Sequence, residues 1–583
     1  MRRRRDDGAV TTRTEPRTLE PRRAHRARAI ADAEAPLTRG TDRYMEAAAH
    51  ALALAAAEEL RLARGTVRGA RVLLLVGGGH NGGDALLAGA RLTARGCRVT
   101  ALMATEHPHE TALERARTAR VETTAVGEED ASERAAAALA TGTDLVLDGL
   151  TGIGAAGPLR PTAAALVEPL IAAGERGERP FRVLAVDLPS GTGADDGALP
   201  GPVLAADRTV TFTCPRGAHL LPPAARRCGL LDVVDLGLPA PAGEPLVERP
   251  ADADLGARLR VPGDADHKYT RGVVGLLAGS ESYPGAAVLA TTAAIRAGAG
   301  MARVLAPRRV VDLVLASRPE AVPAAGRSQC LVVGPGTAPT EDPDAPEAAR
   351  TAELRDAVAG VLDDPAPAVV DAGALPLLPG LLGDGRRCAA VHVLTPHAGE
   401  AASLLTALGE ETNRAGVDAA PGAAARALAS LTGATVVLKG TPTLVARPGR
   451  GPADADGTAG APRDEPGDGP RTADADGAAP DAPLLSLDAG PGWLATAGSG
   501  DVLAGTLGAL LAAARADEEN GLRPLDPAAV AALAVRLHAE AGRLASERTG
   551  AAPAGGPVAA LDVAEALPAA WRLLHDRACY GAD

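Results

Sequence analysis

RVLLLVGGGHNGGDALLAGARLTARGCRVTALM, residues 71–103, contains the unit from which the rest of the chain can be read. Arg71 to Val76 is a short, nearly all-apolar run, as a strand covered on both faces should be. A glycine-rich turn follows, then an Ala- and Leu-rich helical stretch, then a second apolar run from Arg98 to Met103. Strand, turn, helix and strand in that order make a βαβ unit with a parallel sheet. The pattern returns at Leu145 to Leu147 and Val183 to Val186, and Tyr44 to Leu62 upstream reads as an Ala-rich amphipathic helix.

Further along, Leu238 to Pro262 is rich in Pro, Asp and Glu and has no sustained periodicity, which places a domain boundary near residue 250. A second α/β series follows, with strands expected at Val273–Leu277, Arg303–Leu305, Leu331–Val333, Val369–Val370, Val391–Leu394 and Thr435–Leu438. Two large domains suit a chain of 583 residues, too long for one hydrophobic core. Residues 447 to 483 carry eight acids and a repeated Ala-Asp-Ala-Asp-Gly, too polar to bury a core of their own. Strand-like segments at Thr443–Ala446 and Leu484–Leu487 flank them, so they read as an expanded hairpin loop.

Composition narrows the function. A formal net charge of −13 argues against a general nucleic-acid binder. Residues 1–28 run against that balance, with ten Arg to four acids; an arm for nucleic acid or a membrane surface is one reading, and a disordered leader, which the lack of apolar periodicity favours, is the other. No h-region follows Arg2 to Arg5 and no apolar stretch reaches membrane length, so a cytoplasmic protein with no membrane partner is expected. Six cysteines at irregular spacing, without C-x-x-C, indicate neither a disulfide framework nor a zinc site.

Chemistry is carried by strand ends and glycine turns. In the second half, Leu494-Ala-Thr-Ala-Gly-Ser-Gly-Asp501 runs into an apolar helix. Glycines 498 and 500 admit a close ligand, the free N–H groups of the helix start favour an anion, and Asp501 is placed to accept a proton from an attacking hydroxyl. The competing reading is that Asp501 only caps the helix. Val436-Val-Leu-Lys439-Gly-Thr-Pro-Thr443 is a strand ending in a cationic turn, where ligands bind in open α/β sheets. Leu394-Thr-Pro-His397-Ala-Gly-Glu400 and Val332-Val-Gly334-Pro-Gly336 are further polar strand ends, and together they suggest one crevice.

In the first half, Gly77-Gly-Gly-His80-Asn81-Gly82-Gly83-Asp84 lies between strand and helix but lacks the G-x-G-x-x-G spacing. It can still wrap a phosphate in backbone N–H groups. Asp148-Gly-Leu-Thr151 and Asp187-Leu-Pro-Ser190 follow other strands, so Asn81, Asp148 and Ser190 are candidate oxygen donors to a monovalent cation.

The ordered set His267-Lys268, Gly279-Ser280, Tyr283-Pro-Gly285-Ala-Ala287, Gly334-Pro-Gly336, Thr395-Pro-His397-Ala-Gly-Glu400, Lys439-Gly-Thr-Pro-Thr443 and Ala497-Gly-Ser-Gly-Asp501 resembles the ADP/ATP-dependent NAD(P)H-hydrate dehydratases. The first domain, residues 29–250, resembles the NAD(P)HX epimerases over roughly 29 to 245, through the glycine loop, the Asp148 and Asp187 strand ends, Thr211-Phe-Thr-Cys-Pro-Arg216 and Asp235-Leu-Gly-Leu-Pro239. The resemblance implies an α/β protein, a Rossmann-like three-layer domain followed by a ribokinase-like three-layer domain over 251–583. It further implies a bifunctional repair enzyme for hydrated NADH and NADPH, using ADP (or ATP), Mg²⁺ and K⁺. Lys439, Gly440, Thr441, Pro442, Thr443 and Gly500 would hold the nucleotide, and Ala287, Gly336, His397 and Asp501 would face the hydrated nicotinamide.

In the first domain His80, Asn81, Gly82, Gly83 and Asp84, with Gly152, Ile153, Gly154, Ala155, Ala156, Gly157 and Pro158, would bind the substrate. Asp187 would do acid/base work there, and Asn81, Asp148 and Ser190 would bind K⁺. A homo-oligomer is also compatible with the resemblance. The chain departs from the family patterns at His80, Ala85, Arg216 and Gly373, where Asn, Gly, Lys and Asp are usual. The alternative is a ribokinase-like kinase of a vitamin precursor with a non-catalytic first domain.

Overall fold

The computed structural model describes residues 18–19, 23–152, 157–176, 179–449, 482–549 and 555–580. The chain divides into two compact units, Met1–Leu246 and Val247–Asp583.

The first unit is built on an eight-stranded sheet. Its strands are β1 (Thr18–Leu19), β2 (Arg71–Val76), β3 (Arg98–Met103), β4 (Glu122–Ala125), β5 (Leu145–Gly149), β6 (Arg182–Val186), β7 (Arg208–Phe212) and β8 (Leu230–Val234), in the spatial order β1-β8-β7-β6-β5-β2-β3-β4. All neighbours are parallel except β1 on β8. Side chains alternate across the sheet, as a pleated strand requires. Val72, Leu74 and Val76 join one apolar cluster with α1 (Arg43–Arg64) and α2 (Gly79–Ala94). Leu73 and Leu75 join another with α3 (Pro161–Glu175). These are the three layers.

One expectation is corrected here. The leader expected over 1–28 already belongs to the fold by residue 23: Ala24 is buried, the His25 N–H donates to Pro215 O at 3.0 Å, and the Ala27 N–H donates to Asp195 Oδ1 at 2.7 Å. A few apolar residues between arginines gave too little periodicity to reveal these contacts. Residues 1–17 and 20–22 lie outside the described residues, as do 450–481 of the insertion.

The second unit carries β9 (Val247–Glu248), β10 (Val273–Leu277), β11 (Met301–Val304), β12 (Cys330–Val333), β13 (Ala368–Val370), β14 (His392–Leu394), β15 (Thr435–Leu438), β16 (Thr443–Ala446) and β17 (Leu484–Leu487). They follow the order β11-β10-β12-β13-β14-β15-β16-β17-β9. Neighbours are parallel from β11 to β15, and β16 pairs antiparallel with both β15 and β17. One face packs against α4 (Pro284–Arg296), α6 (Ser499–Glu519), α7 (Pro527–Thr549) and α8 (Ala560–Tyr580) in a core of Ala, Val and Leu; α5 (Ala398–Ala407) follows β14.

With few aromatics to fill space, the layers close up on glycine. A Cβ at Gly505 would fall 2.1 Å from Ala290 O, and one at Gly508 would fall 2.2 Å from Val332 Cγ2, so α6 lies directly on α4 and the sheet. Among the described residues no helix is long and apolar enough to cross a membrane. Five cysteines are buried, Cys579 is exposed, and all are free thiols.

In both sheets the chain reverses its direction of growth beside its first long strand. In the first unit β3 and β4 lie on one side of β2 and β5 on the other; in the second, β11 and β12 flank β10. Such a reversal leaves a crevice at the carboxyl ends of the strands, where α/β proteins bind ligands.

Candidate active sites

In the second unit the loops after β10 and β12 meet at this crevice. The Gly279 N–H donates to Pro335 O at 2.7 Å, and Ser280 Oγ donates to Gly336 O at 2.9 Å. Gly336 has φ +64°, and a Cβ there would lie 2.3 Å from that of Ala286, so no side chain fits. Ala287 is buried in a small apolar cluster with Ala278 and Val310; its side chain contributes packing.

The next three strands bring charge. Asp371 follows β13, His397 and Glu400 follow β14, and Lys439 follows β15. Lys439 Nζ lies 3.1 Å from Asp371 Oδ1 and 3.6 Å from Glu400 Oε2. Asp371 is buried and also accepts a hydrogen bond from Thr395 Oγ1 at 2.7 Å. Burial alone would lower the Lys439 pKa, but the two carboxylates outweigh it and raise it, so the ammonium stays charged.

His397 caps α5: its Nδ1 accepts from the N–H groups of Gly399 and Glu400, both at 3.1 Å, while Glu400 Oε2 accepts from the His397 N–H at 2.8 Å. This reciprocal capping fixes Glu400 over Lys439. Thr443 Oγ1 donates back to Gly440 O at 2.9 Å, closing the turn that leaves Gly440 and Thr441 exposed.

The Gly-Ser-Gly-Asp turn enters from the other side. Gly498, at φ +87°, is the N-cap of α6, and Asp501 stands in the first turn without a capping role. A Cβ on Gly500 would sit 3.7 Å from Lys439 Nζ, which puts the helix start, with its free N–H groups, beside the ammonium. Burial first, then the charge of Asp371, raise the Asp501 pKa to about 6, with Lys439 opposing them. A carboxylate tuned toward neutrality suits a general base.

The departure at Gly373 has a local cause. A Cβ there would fall 2.2 Å from Thr337 O and 2.4 Å from Thr337 Oγ1, so an Asp would have to displace Thr337. A separate cavity of about 290 Å³, lined by residues such as Arg258, Leu510, Asp517 and Trp571, lies at the far end of α6, away from this chemistry.

In the first unit, the loops after β2 and β5 line a cavity of about 720 Å³, with Gly77, His80, Asn81, Thr151, Gly152 and Pro158 in its wall. A Cβ at Gly82 would strike Gly77 O at 2.1 Å, and one at Gly152 would strike Asn81 Oδ1 at 2.6 Å, so the loop closes only on glycine. Ala85 packs on Gly149, which has no Cβ to oppose it. His80 is exposed, with its ring 6.4 Å from that of His109, and Gly157 has φ +82°. Ile153, Gly154, Ala155 and Ala156 lie outside the described residues.

Asn81, Asp148 and Ser190 converge. Ser190 Oγ donates to Asp148 Oδ1 at 2.6 Å and accepts from the Thr151 N–H at 3.0 Å; the Ser190 N–H donates to Asp148 Oδ2 at 2.8 Å. Asn81 Nδ2 donates to Thr151 O at 3.0 Å and Val186 O at 2.9 Å. Asp148 is fully buried, and burial outweighs the Ser190 hydrogen bonds to raise its pKa. Both Asp148 oxygens are thus served by Ser190, and the three side chains form one buried, oxygen-rich group.

Deeper still, Asp187 takes a positive φ of 68° and its Oδ1 lies 2.9 Å from Arg216 Nη1. Thr211 Oγ1 donates to the same oxygen at 2.8 Å, and Arg216 Nη1 also reaches Thr211 Oγ1, Phe212 O and Cys214 O. The Arg216 N–H donates to His219 Nδ1 at 2.9 Å, leaving His219 Nε2 as donor to Asp187 O at 2.7 Å. Asp84 is buried nearby with Oδ1 unpartnered, and burial and then the charge of Asp187 raise its pKa well above the usual range.

Two sheets, each with a crevice at its switch point and ionisable groups gathered there, define a two-domain α/β enzyme, Rossmann-like in the first unit and ribokinase-like in the second. Residues 41–218 match the family described as YjeF-related protein N-terminus, and residues 274–469 and 477–564 match NAD(P)H-hydrate dehydratase. The bifunctional NAD(P)H-hydrate repair enzyme Nnr of Mycobacterium leprae (strain TN) is 39% identical over 497 residues, 83% of this chain and 88% of that one. The enzyme of the same name from Escherichia coli (strain K12) is 30% identical over 455 residues, 75% of this chain and 76% of that one. A solved structure of the ADP/ATP-dependent NAD(P)H-hydrate dehydratase from Bacillus subtilis, co-crystallized with ATP/Mg²⁺, is 23% identical with a TM-score of 0.40, over 56% of this chain and 99% of that one. The chain belongs to the family of bifunctional NAD(P)H-hydrate repair enzymes.

Proposed function

We propose that the chain regenerates NADH and NADPH whose reduced rings have added water at C6. The first unit interconverts the R and S hydrates, and the second removes water from the S hydrate at the expense of ADP or ATP. The observation that carries the second activity is the meeting of Lys439, Gly500 and Asp501 at the carboxyl ends of the strands. Lys439 and the N–H groups of the α6 start receive the terminal phosphates, and the turn Gly440 to Thr443 holds the AMP part. Asp501 takes the proton of the C6 hydroxyl as its oxygen attacks the terminal phosphoryl group. Phosphate then leaves C6, the C5 proton passes to solvent and the electron pair of the C5–H bond restores the ring double bond; ADP gives AMP, and ATP gives ADP. Water leaves poorly and phosphate leaves well, which gives the nucleotide its purpose.

Among the described residues no group of three or more His, Cys, Asp or Glu side chains is placed to hold a metal. Asp371 and Glu400, already bridged by a cation, are the carboxylates suited to Mg²⁺, which takes one or two such ligands and completes its shell with phosphates and water. Bound there, Mg²⁺ would neutralise charge on the transferred phosphoryl group. Asn81, Asp148 and Ser190 would hold K⁺ and so shape the substrate cavity of the first unit, where Asp187, kept in place by Arg216 and Thr211, serves the epimerisation.

The test is Asp501→Asn. It is expected to abolish nucleotide-dependent NADH formation while ADP still binds in equilibrium titration; retained turnover removes Asp501 from the mechanism. Family membership across both units disfavours the alternative of a kinase that releases a stable phosphate.

A further inference from the structure

Ser499 sits between the two glycines of the phosphate turn, yet its side chain faces the interior. It is buried, and Oγ lies 3.2 Å from Nε2 of His538, a buried residue of α7. The same helix touches the preceding segment twice more. A Cβ at Gly490 would lie 2.9 Å from Ala539 O, and one at Gly542 would lie 2.7 Å from Leu494 Cδ1. Residues 538, 539 and 542 thus hold the stretch 490–499 along its length, with glycine wherever backbone must approach. His538 supplies the polar contact of the three. What remains facing the crevice at the turn is the start of α6: its free N–H groups and, one residue past Gly500, Asp501.

We infer that His538 is a positioning residue for the dehydration step, pinning Ser499 so that the first turn of α6 presents Asp501 to the reacting hydroxyl. This deepens the dehydratase reading and rests on it. Burial lowers the His538 pKa to about 4, so the ring is uncharged at neutral pH and adds no second cation beside Lys439. An uncharged donor–acceptor ring can fix the turn without competing with the ammonium for phosphate. Sequence reading passes over this residue because one His in an Ala-rich helix resembles any buried core histidine.

The experiment compares wild type, His538→Ala, His538→Gln, Ser499→Ala and the Ser499→Ala/His538→Ala double variant on S-hydrated NADH with ADP and Mg²⁺. NADH formation gives kcat, and equilibrium titration gives ADP affinity. A displaced catalytic turn costs about ten- to hundredfold in rate. The inference expects that loss in kcat for His538→Ala and for Ser499→Ala, with ADP affinity changed less than about threefold. The double variant should be no worse than either single one, and His538→Gln should recover most of the rate. Equal losses in kcat and ADP affinity, additive losses in the double variant, or an unchanged kcat would overturn it. Should His538→Ala not fold, Ser499→Ala and His538→Gln carry the same comparison. An inactive wild type contradicts the dehydratase reading, whereas an active wild type with unaffected variants contradicts only the role of His538.

Discussion

Replacing Asp501 by Asn should stabilise the second unit at neutral pH in the same stroke that removes its chemistry. Burial, and behind it the charge of Asp371, lift this carboxyl from its usual 3.8 to about 6, against the pull of Lys439. Between those values the unfolded chain has released its proton while the folded chain still holds it. Stability therefore falls as pH rises through this window, and the full cost is present above about pH 6. A shift of that size corresponds to about 3 kcal/mol. Asn removes the charge but leaves a polar amide to desolvate, so the recovered stability should be at most this figure.

Both tryptophans, Trp493 and Trp571, belong to the second unit, so urea titration followed by their fluorescence reports that unit alone. The variant should gain about 2–3 kcal/mol near pH 7.5, with the gain shrinking toward zero near pH 4. A gain that does not vary with pH, or a loss at pH 7.5, would refute the premise that an ionised Asp501 is held against its solvation.

Further outcomes follow from the same geometry. Arg216→Met should cost the first unit about 3–5 kcal/mol in chemical denaturation followed by circular dichroism, because Asp187 is left buried without its cation; a cost under about 1 kcal/mol would mean that the Thr211 hydrogen bond to its carboxylate suffices. Gly500→Ala should fold normally, since its methyl meets nothing closer than Lys439 Nζ at 3.7 Å, yet should weaken ADP binding by about tenfold. Unchanged affinity in calorimetry would place the phosphates elsewhere. His397→Ala should cost about 1 kcal/mol in thermal unfolding through loss of the α5 cap, and an unchanged midpoint would mean that the cap contributes nothing.

The sheets were legible because their strands are short apolar runs between turns: Arg71–Val76, Arg98–Met103 and Val273–Leu277 occur as expected, and others shift by a residue or two, as Arg303–Leu305 does to Met301–Val304. The glycine loops were legible for the same kind of reason, since Gly82, Gly152 and Gly336 have no room for a side chain. What spacing did not reveal was pairing across the fold. Lys439 and Asp371 stand 68 positions apart and meet only because β13, β14 and β15 lie side by side. Asp187 and Arg216 were each singled out, but their ion pair depends on β6 and β7 being neighbours. The role of Gly373 emerges only with Thr337 in place, and His538 only with α7 laid along the phosphate turn.

The most direct test of two linked activities is the near-ultraviolet absorbance of NADH after the protein is added to a mixture of R- and S-hydrated NADH with Mg²⁺, K⁺ and either ADP or ATP. A dehydratase joined to an active epimerase restores all of the NADH in a nucleotide-dependent way, and the effective nucleotide identifies the phosphoryl donor. Recovery that stops when the S hydrate is gone would contradict the epimerase half of the account, and no recovery with either nucleotide would contradict the whole of it.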